Sequence, residues 1–162
     1  MDGLARVLVC YYSFTGNTRL VARELQECLH GRYSVDIFEV VPERARRYVV
    51  WLVYSFFPGS RVGIKDIQSD ISVYDLVCLG TPKWTFSCPP LNEYIHKIIG
   101  YRGKRILLFV TYGGFREKAF VSRIVEALKK KGASQVSVLL IKRSRIVDGS
   151  YRRIVNSFCA SL

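Results

Sequence analysis

Short apolar runs alternate with segments of helical periodicity along this 162-residue chain. The centres of the first and third runs, Val7–Cys10 and Leu76–Leu79, are continuously apolar, which is typical of strands buried on both faces of a sheet. The pattern predicts five strands, at Leu4–Tyr12, Ser34–Val40, Asp75–Gly80, Arg105–Thr111 and Val136–Leu140. Helical periodicity predicts one helix that ends near His30 and two that cover Leu91–Ile99 and Glu117–Lys131. A further helix includes Tyr151–Phe158 near the end of the chain.

Strands that alternate with helices predict an α/β fold with a parallel sheet covered on both faces, because right-handed crossovers place the helices there. The second strand alternates apolar and polar residues and is expected at an edge of the sheet. The length suits one domain over residues 1–162, without an internal repeat.

The loop after the first strand has the chemistry of a phosphate site. It reads Ser13, Phe14, Thr15, Gly16, Asn17 and Thr18. The first N–H groups of the following helix have no intrahelical partner and carry partial positive charge, and the hydroxyls add donors. No Gly-x-x-x-x-Gly-Lys-Ser/Thr or Gly-x-Gly-x-x-Gly motif occurs here, so a single phosphate monoester fits better than a nucleoside triphosphate or a dinucleotide. The alternative is a polar N-cap that only begins a helix.

This loop resembles the phosphate loop of the flavodoxin family, which has the form Thr/Ser-x-Thr-Gly-Asn-Thr after the first strand. The resemblance implies a flavodoxin-like three-layer sandwich with strand order 2-1-3-4-5, and bound FMN. In such a sheet, ligands bind beyond the carboxyl ends of the strands where the order reverses. For this order the point lies between strands one and three.

Two further loops resemble the family's flavin loops. The second comprises Thr81, Pro82, Lys83, Trp84 and Thr85, and the third comprises Tyr112, Gly113, Gly114 and Phe115. The resemblance implies that Trp84, expected to be exposed, stacks on the flavin ring and that the third loop approaches its pyrimidine edge. The alternatives are that Trp84 is a plain core residue and that Lys83 is a solvated surface charge. If it points inward, Lys83 would stabilise negative charge on the reduced flavin.

Residues 42–71 are the atypical part of the chain. Three arginines precede the apolar run Tyr48–Phe57, which is too short to span a bilayer. Three hypotheses stay open for this segment: a helix packed on the sheet with an insertion behind it, a peripheral membrane contact through Arg44–Phe57, or a homodimer surface. Arg61–Lys65 is expected to be an extended linker.

Composition adds a net charge of +12, which attracts acidic partners and departs from the acidic character of most flavodoxins. The five cysteines are scattered without Cys-x-x-Cys spacing, so neither a disulfide framework nor a metal site is predicted. Cys88 is expected to be half-buried and inert, although its place beside the proposed site leaves redox reactivity open. No signal-peptide pattern is visible, and a cytoplasmic location is expected.

The principal hypothesis is an FMN-binding redox protein, either a one-electron carrier or a reductase of the quinone or NAD(P)H type. Its partner would be an acidic redox protein or a small-molecule electron acceptor. The alternative is a non-redox binding module whose basic surface holds nucleic acid or an acidic protein. Nucleic acid is the less favoured partner, because the basic residues are dispersed and no nucleic-acid motif occurs.

Overall fold

A computed structural model describes residues 4–114 and 116–162. Its centre is a five-stranded parallel sheet with the order β2-β1-β3-β4-β5, which confirms the predicted topology. The strands are β1 Arg6–Tyr11, β2 Ser34–Glu39, β3 Leu76–Pro82, β4 Arg105–Tyr112 and β5 Gln135–Lys142. As predicted, β2 lies at an edge.

Helices cover both faces of the sheet. They are α1 Asn17–Leu29, α2 Tyr48–Ser55, α3 Pro89–Lys97, α4 Glu117–Lys130, α5 Arg143–Val147 and α6 Tyr151–Ala160. Alternate strand residues enter two separate cores, because successive side chains of a strand point to opposite faces. Val7 and Val9 pack with residues of α1 and α6, whereas Leu8 and Cys10 pack with residues of α3 and α4.

The carboxyl ends of the central strands differ from the sequence prediction. β3 continues to Pro82 and β4 to Tyr112, so residues predicted as loop lie at strand ends. A side chain at Gly80 would collide with Phe109 and with Tyr11 on the neighbouring strands. Glycine here therefore lets β1, β3 and β4 pack closely just below the loops that follow them.

The atypical segment is an excursion that is closed at its base. Glu43 donates its N–H to the Gly63 carbonyl at 3.0 Å, and the Lys65 N–H reaches the Val41 carbonyl at 2.8 Å. The predicted linker is therefore paired rather than free. Between these contacts stands α2, so the segment does contain a helix. No helix in the two described ranges is long and apolar enough to cross a membrane.

The short helix α5 was not predicted. Its five residues are too few to show a helical period in the sequence. The structure instead turns the chain directly from β5 into α5, which places Arg143 at the carboxyl edge of the sheet.

The prediction that the cysteines form no disulfide was wrong. Cys28, in the last turn of α1, is bonded to Cys159 in α6, across a sequence separation of 131 residues. The two helices pack in the same core, which brings these residues together although the sequence spacing gives no sign of it. Cys10, Cys78 and Cys88 are free and buried.

The disulfide predicts a defined thiol count. In denaturant without reductant, three thiols are expected to react with Ellman's reagent, and five after reduction. Since the bond closes a long loop, Cys28→Ser/Cys159→Ser is expected to lower the free energy of unfolding by about 5 kcal/mol. Denaturant unfolding with and without reductant measures this difference, and the double variant, which serves as the control, should not respond to reductant. Five reactive thiols before reduction would contradict the bond.

Candidate functional site

A cavity of about 470 Å³ opens beyond the carboxyl ends of β1, β3 and β4. It lies where the strand order reverses between β1 and β3, the position at which open α/β sheets bind ligands. Its size is within the range of small-molecule and cofactor sites. The lining residues are Phe14, Thr15, Asn17, Tyr48, Pro82, Lys83, Trp84, Thr111, Tyr112, Gly113, Gly114 and Arg143.

The first loop is shaped by two features of its own sequence. The Ser13 hydroxyl accepts hydrogen bonds from the N–H groups of Gly16, at 3.2 Å, and Arg19, at 3.3 Å. Gly16 precedes α1 with φ of 93°, a left-handed conformation that favours glycine. As a result Thr15 and Asn17 face the cavity. The α1 first-turn N–H groups of Asn17 and Thr18 make no hydrogen bond within the described ranges.

Thr111 joins the three loops. Its hydroxyl shares a 2.8 Å hydrogen bond with the hydroxyl of Thr18, which is 1% exposed and does not line the cavity. Its carbonyl accepts the Lys83 N–H at 2.8 Å. The first loop, through Thr18, and the second loop, through Lys83, are thus both fixed to the strand that leads into the third.

Trp84 belongs to an aromatic cluster and is less exposed than expected. Its ring stacks on that of Trp51 with a centroid distance of 5.9 Å, and it meets Tyr12, Phe14 and Tyr48 edge-on. Trp51 is fully buried and comes from α2. The sequence could not show this packing, because the partner ring comes from the atypical segment. Trp84 still lines the cavity, now as a ring held in place from behind.

The end of α2 is bonded to the second loop. The Ser55 carbonyl accepts the N–H groups of Phe86 and Ser87 at 3.0 and 3.1 Å. The Ser55 hydroxyl also bonds the Thr85 hydroxyl, so Thr85 faces α2 and does not line the main cavity. The helix therefore packs on the loop at the candidate site, and it supplies Tyr48 to the cavity wall.

The charge at the cavity is positive. Lys83 and Arg143 line it, and no carboxylate does so among the described residues. Burial lowers the pKa of Lys83 from its ordinary value; Glu117 opposes this shift and Arg116 adds to it. The nearby Glu39 is paired with Arg19 at 2.7 Å and accepts a hydrogen bond from Tyr11. An anion entering the cavity therefore meets cations and hydrogen-bond donors.

Among the described residues, Cys88 lies outside the cavity. Cys88 is buried rather than half-buried, and burial raises the pKa of its thiol to about 12, so it is a poor nucleophile. Phe115 of the third loop lies outside the described residues. Within those residues, no group of three or more His, Cys, Asp or Glu side chains is placed to hold a metal ion.

Three residues that line the cavity, Tyr48, Thr111 and Arg143, were not named among the cofactor-binding residues predicted from the sequence. Thr111 was predicted as the last residue of the fourth strand, and its position at a strand end was the available signal. Arg143 directly follows β5, and a Cβ added to Gly113 would lie 3.9 Å from its Cδ atom, so it stands beside the third loop. Tyr48 carried no signal beyond belonging to an aromatic run.

Comparisons with known proteins find the same fold in solved structures. No family model matches the chain. Among the solved structures that match the chain over almost their full lengths are two with a flavin-related description. A flavoprotein in complex with FMN from Lactobacillus acidophilus is 22% identical with a TM-score of 0.62, covering 90% of this chain and 99% of that one. The two-electron reduced flavodoxin of Megasphaera elsdenii is 16% identical with a TM-score of 0.63, covering 96% and 99%.

A closer relative in sequence is an uncharacterised protein of Archaeoglobus fulgidus. It is 32% identical over 136 residues, which cover 84% of this chain and 85% of that protein. The resemblance to flavodoxins is confirmed at the level of the fold, by the strand order and by the solved structures. The chain therefore has the flavodoxin-like fold and belongs to one family with the Archaeoglobus fulgidus protein.

Proposed function

We propose that the chain binds FMN non-covalently and acts as a redox protein. The observation that carries the proposal is the convergence of three loops on one cavity, each with a different part of the required chemistry. Donors come from the first loop, an aromatic ring from the second and two glycines from the third. The Lactobacillus acidophilus flavoprotein, which has the same fold, binds FMN.

The phosphate end of FMN fits the first loop. The free N–H groups of Asn17 and Thr18 and the Thr15 hydroxyl provide donors at a helix N-terminus. Ser13 contributes indirectly, because its hydroxyl oxygen holds the turn. Thr18 contributes its backbone N–H, since its side chain is committed to Thr111. No carboxylate among the described lining residues would repel the phosphate.

The flat end of FMN fits the aromatic and glycine-bearing wall. Trp84, held by Trp51, gives the ring a preorganised surface. Gly113 and Gly114 line the cavity and carry no side chain that would keep the ring away from their backbone. FMN, when bound, supplies the electron-transfer chemistry, while the chain supplies orientation and charge.

Two cationic side chains line the cavity. Arg143 stands beside Gly113, and Lys83 forms part of the same wall. Positive charge near the ring favours its reduced, negatively charged form. We therefore expect a higher reduction potential than the same fold would give with neutral residues there. Such a site suits a small-molecule electron acceptor of the quinone type or an acidic redox protein as its partner.

The first experiment is a titration of the purified protein with FMN. We expect absorption bands at about 375 and 450 nm, or quenching of added FMN fluorescence with submicromolar affinity. Bleaching by NADH or NADPH would then identify a reductase, and reduction only by a protein donor would identify a carrier. A colourless protein that leaves FMN fluorescence unchanged would overturn the proposal and favour a non-redox binding module.

The phosphate assignment predicts the effect of Thr15→Ala. Loss of a hydrogen bond to a charged group should weaken FMN binding by about 10- to 100-fold. Binding of riboflavin, which lacks the phosphate, should stay unchanged and serves as the internal control. Fluorescence titration measures both affinities. Equal losses for the two ligands would contradict a phosphate contact at Thr15.

The charge assignment predicts the effect of Arg143→Gln. Removing this cation should lower the two-electron midpoint potential of bound FMN by about 30 mV, the equivalent of about 1.4 kcal/mol. Arg145→Gln, in the same short helix but not lining the cavity, is the matched control. Equilibrium redox titration compares the two variants. Equal shifts would mean that only net charge matters, and that Arg143 has no local role.

A further inference from the structure

The outward face of α2 is apolar, which is unusual for a helix on the surface of a protein. The helix buries Trp51 and Ser55 and turns the opposite face to solvent. Val49, Val53 and Phe56, spaced as one helical face, are 68%, 55% and 53% exposed, and the following Phe57 is 64% exposed. No charged residue occurs between Tyr48 and Phe57. We call these four exposed residues, together with Phe86, the apolar patch.

Phe86 extends the apolar patch beyond the helix. It is 39% exposed, and its ring meets that of Phe56 at a centroid distance of 6.1 Å. The patch also borders a second cavity, of about 370 Å³, whose walls include Phe56, Phe86 and Trp84. Since Trp84 lines both cavities, the apolar patch lies next to the candidate functional site.

Cations surround the apolar patch. The Arg46 guanidinium lies over the Tyr54 ring at 5.3 Å, and that of Arg123 lies over Phe86 at 5.6 Å. Arg44 and Arg47, just before α2, are exposed. Residues 43–65 contain Glu43 as their one acidic residue and five basic residues, Arg44, Arg46, Arg47, Arg61 and Lys65.

From this arrangement we infer that the apolar patch docks onto an anionic lipid bilayer. Valine and phenylalanine side chains enter the boundary between headgroups and acyl chains, while the arginines contact anionic headgroups. The outward side chains of Val49, Val53, Phe56 and Phe57 carry no hydrogen-bonding group, so a lipid surface satisfies them better than a polar protein surface does. A two-fold contact with a second copy would bring the same arginines of both chains together, which is unfavourable. The docking is peripheral, since no helix of the described ranges spans a membrane.

Co-sedimentation with large vesicles tests the docking, and it is independent of FMN. The full-length protein should bind vesicles of equal parts phosphatidylglycerol and phosphatidylcholine, and not vesicles of phosphatidylcholine alone. Val53→Asp/Phe57→Asp should reduce binding by about 10-fold or more, because two inserted side chains become charged. The matched control is Val73→Asp/Val147→Asp, which introduces the same charges at residues 52% and 81% exposed outside the apolar patch.

A second pair of variants separates local from overall charge. Arg44→Gln/Arg47→Gln should weaken binding by about 25-fold, taking about 5-fold for each arginine at the membrane surface. Lys129→Gln/Lys130→Gln removes the same charge at the exposed end of α4 and should have a much smaller effect. Equal losses in patch and control variants would overturn the inference in favour of unspecific charge attraction. Absence of vesicle binding would also overturn the inference. This holds whether the apolar patch is then found to form a concentration-dependent dimer or to bind an acidic protein.

Discussion

The geometry of the cavity depends on Thr111. This residue near the end of β4 uses its hydroxyl to hold the start of α1, through Thr18, and its carbonyl to hold the second loop, through the Lys83 N–H. The Thr18–Thr111 bond is buried, so neither hydroxyl exchanges its partner for water without cost. Loops from three strands are in this way fixed to one another before any ligand arrives. Binding then needs little reorganisation, which favours affinity.

The second loop is held equally firmly from the other side. Ser55 at the end of α2 binds its backbone, and Trp51 supports the Trp84 ring. The excursion that carries α2 is closed by backbone pairing between residues 41–43 and 63–65, so the helix is not a loose appendage. One short helix thus both supports the candidate site from inside and presents an apolar face outside. Because α2 has both roles, a partner that binds its exposed face also affects how firmly the cavity wall is ordered.

The sequence predicted the features that arise from local pattern. Apolar runs predicted the five strands, and the first loop predicted a polar turn from β1 into α1, which the structure builds around Gly16; its phosphate-binding role stays a prediction. Features that depend on distant residues were missed or misjudged. Trp84 was expected to be exposed, but the ring of Trp51, more than 30 residues earlier in the chain, covers it. The sequence next to Trp84 gives no sign of that contact. The predicted order already placed β5 beside β4, but Arg143 reaches the site through the direct turn from β5 into α5, a helix too short to show a period in the sequence.

The bond between Cys28 and Cys159 gives the molecule a covalent ring that contains most of the sheet and the whole α2 excursion. A protease that cleaves once in the exposed turn at Pro58 and Gly59 would therefore leave two segments still joined as one molecule. The cleaved protein would keep its mass apart from one added water, and its fragments would separate only after reduction. Cleavage in this exposed turn need not release either half of the cavity.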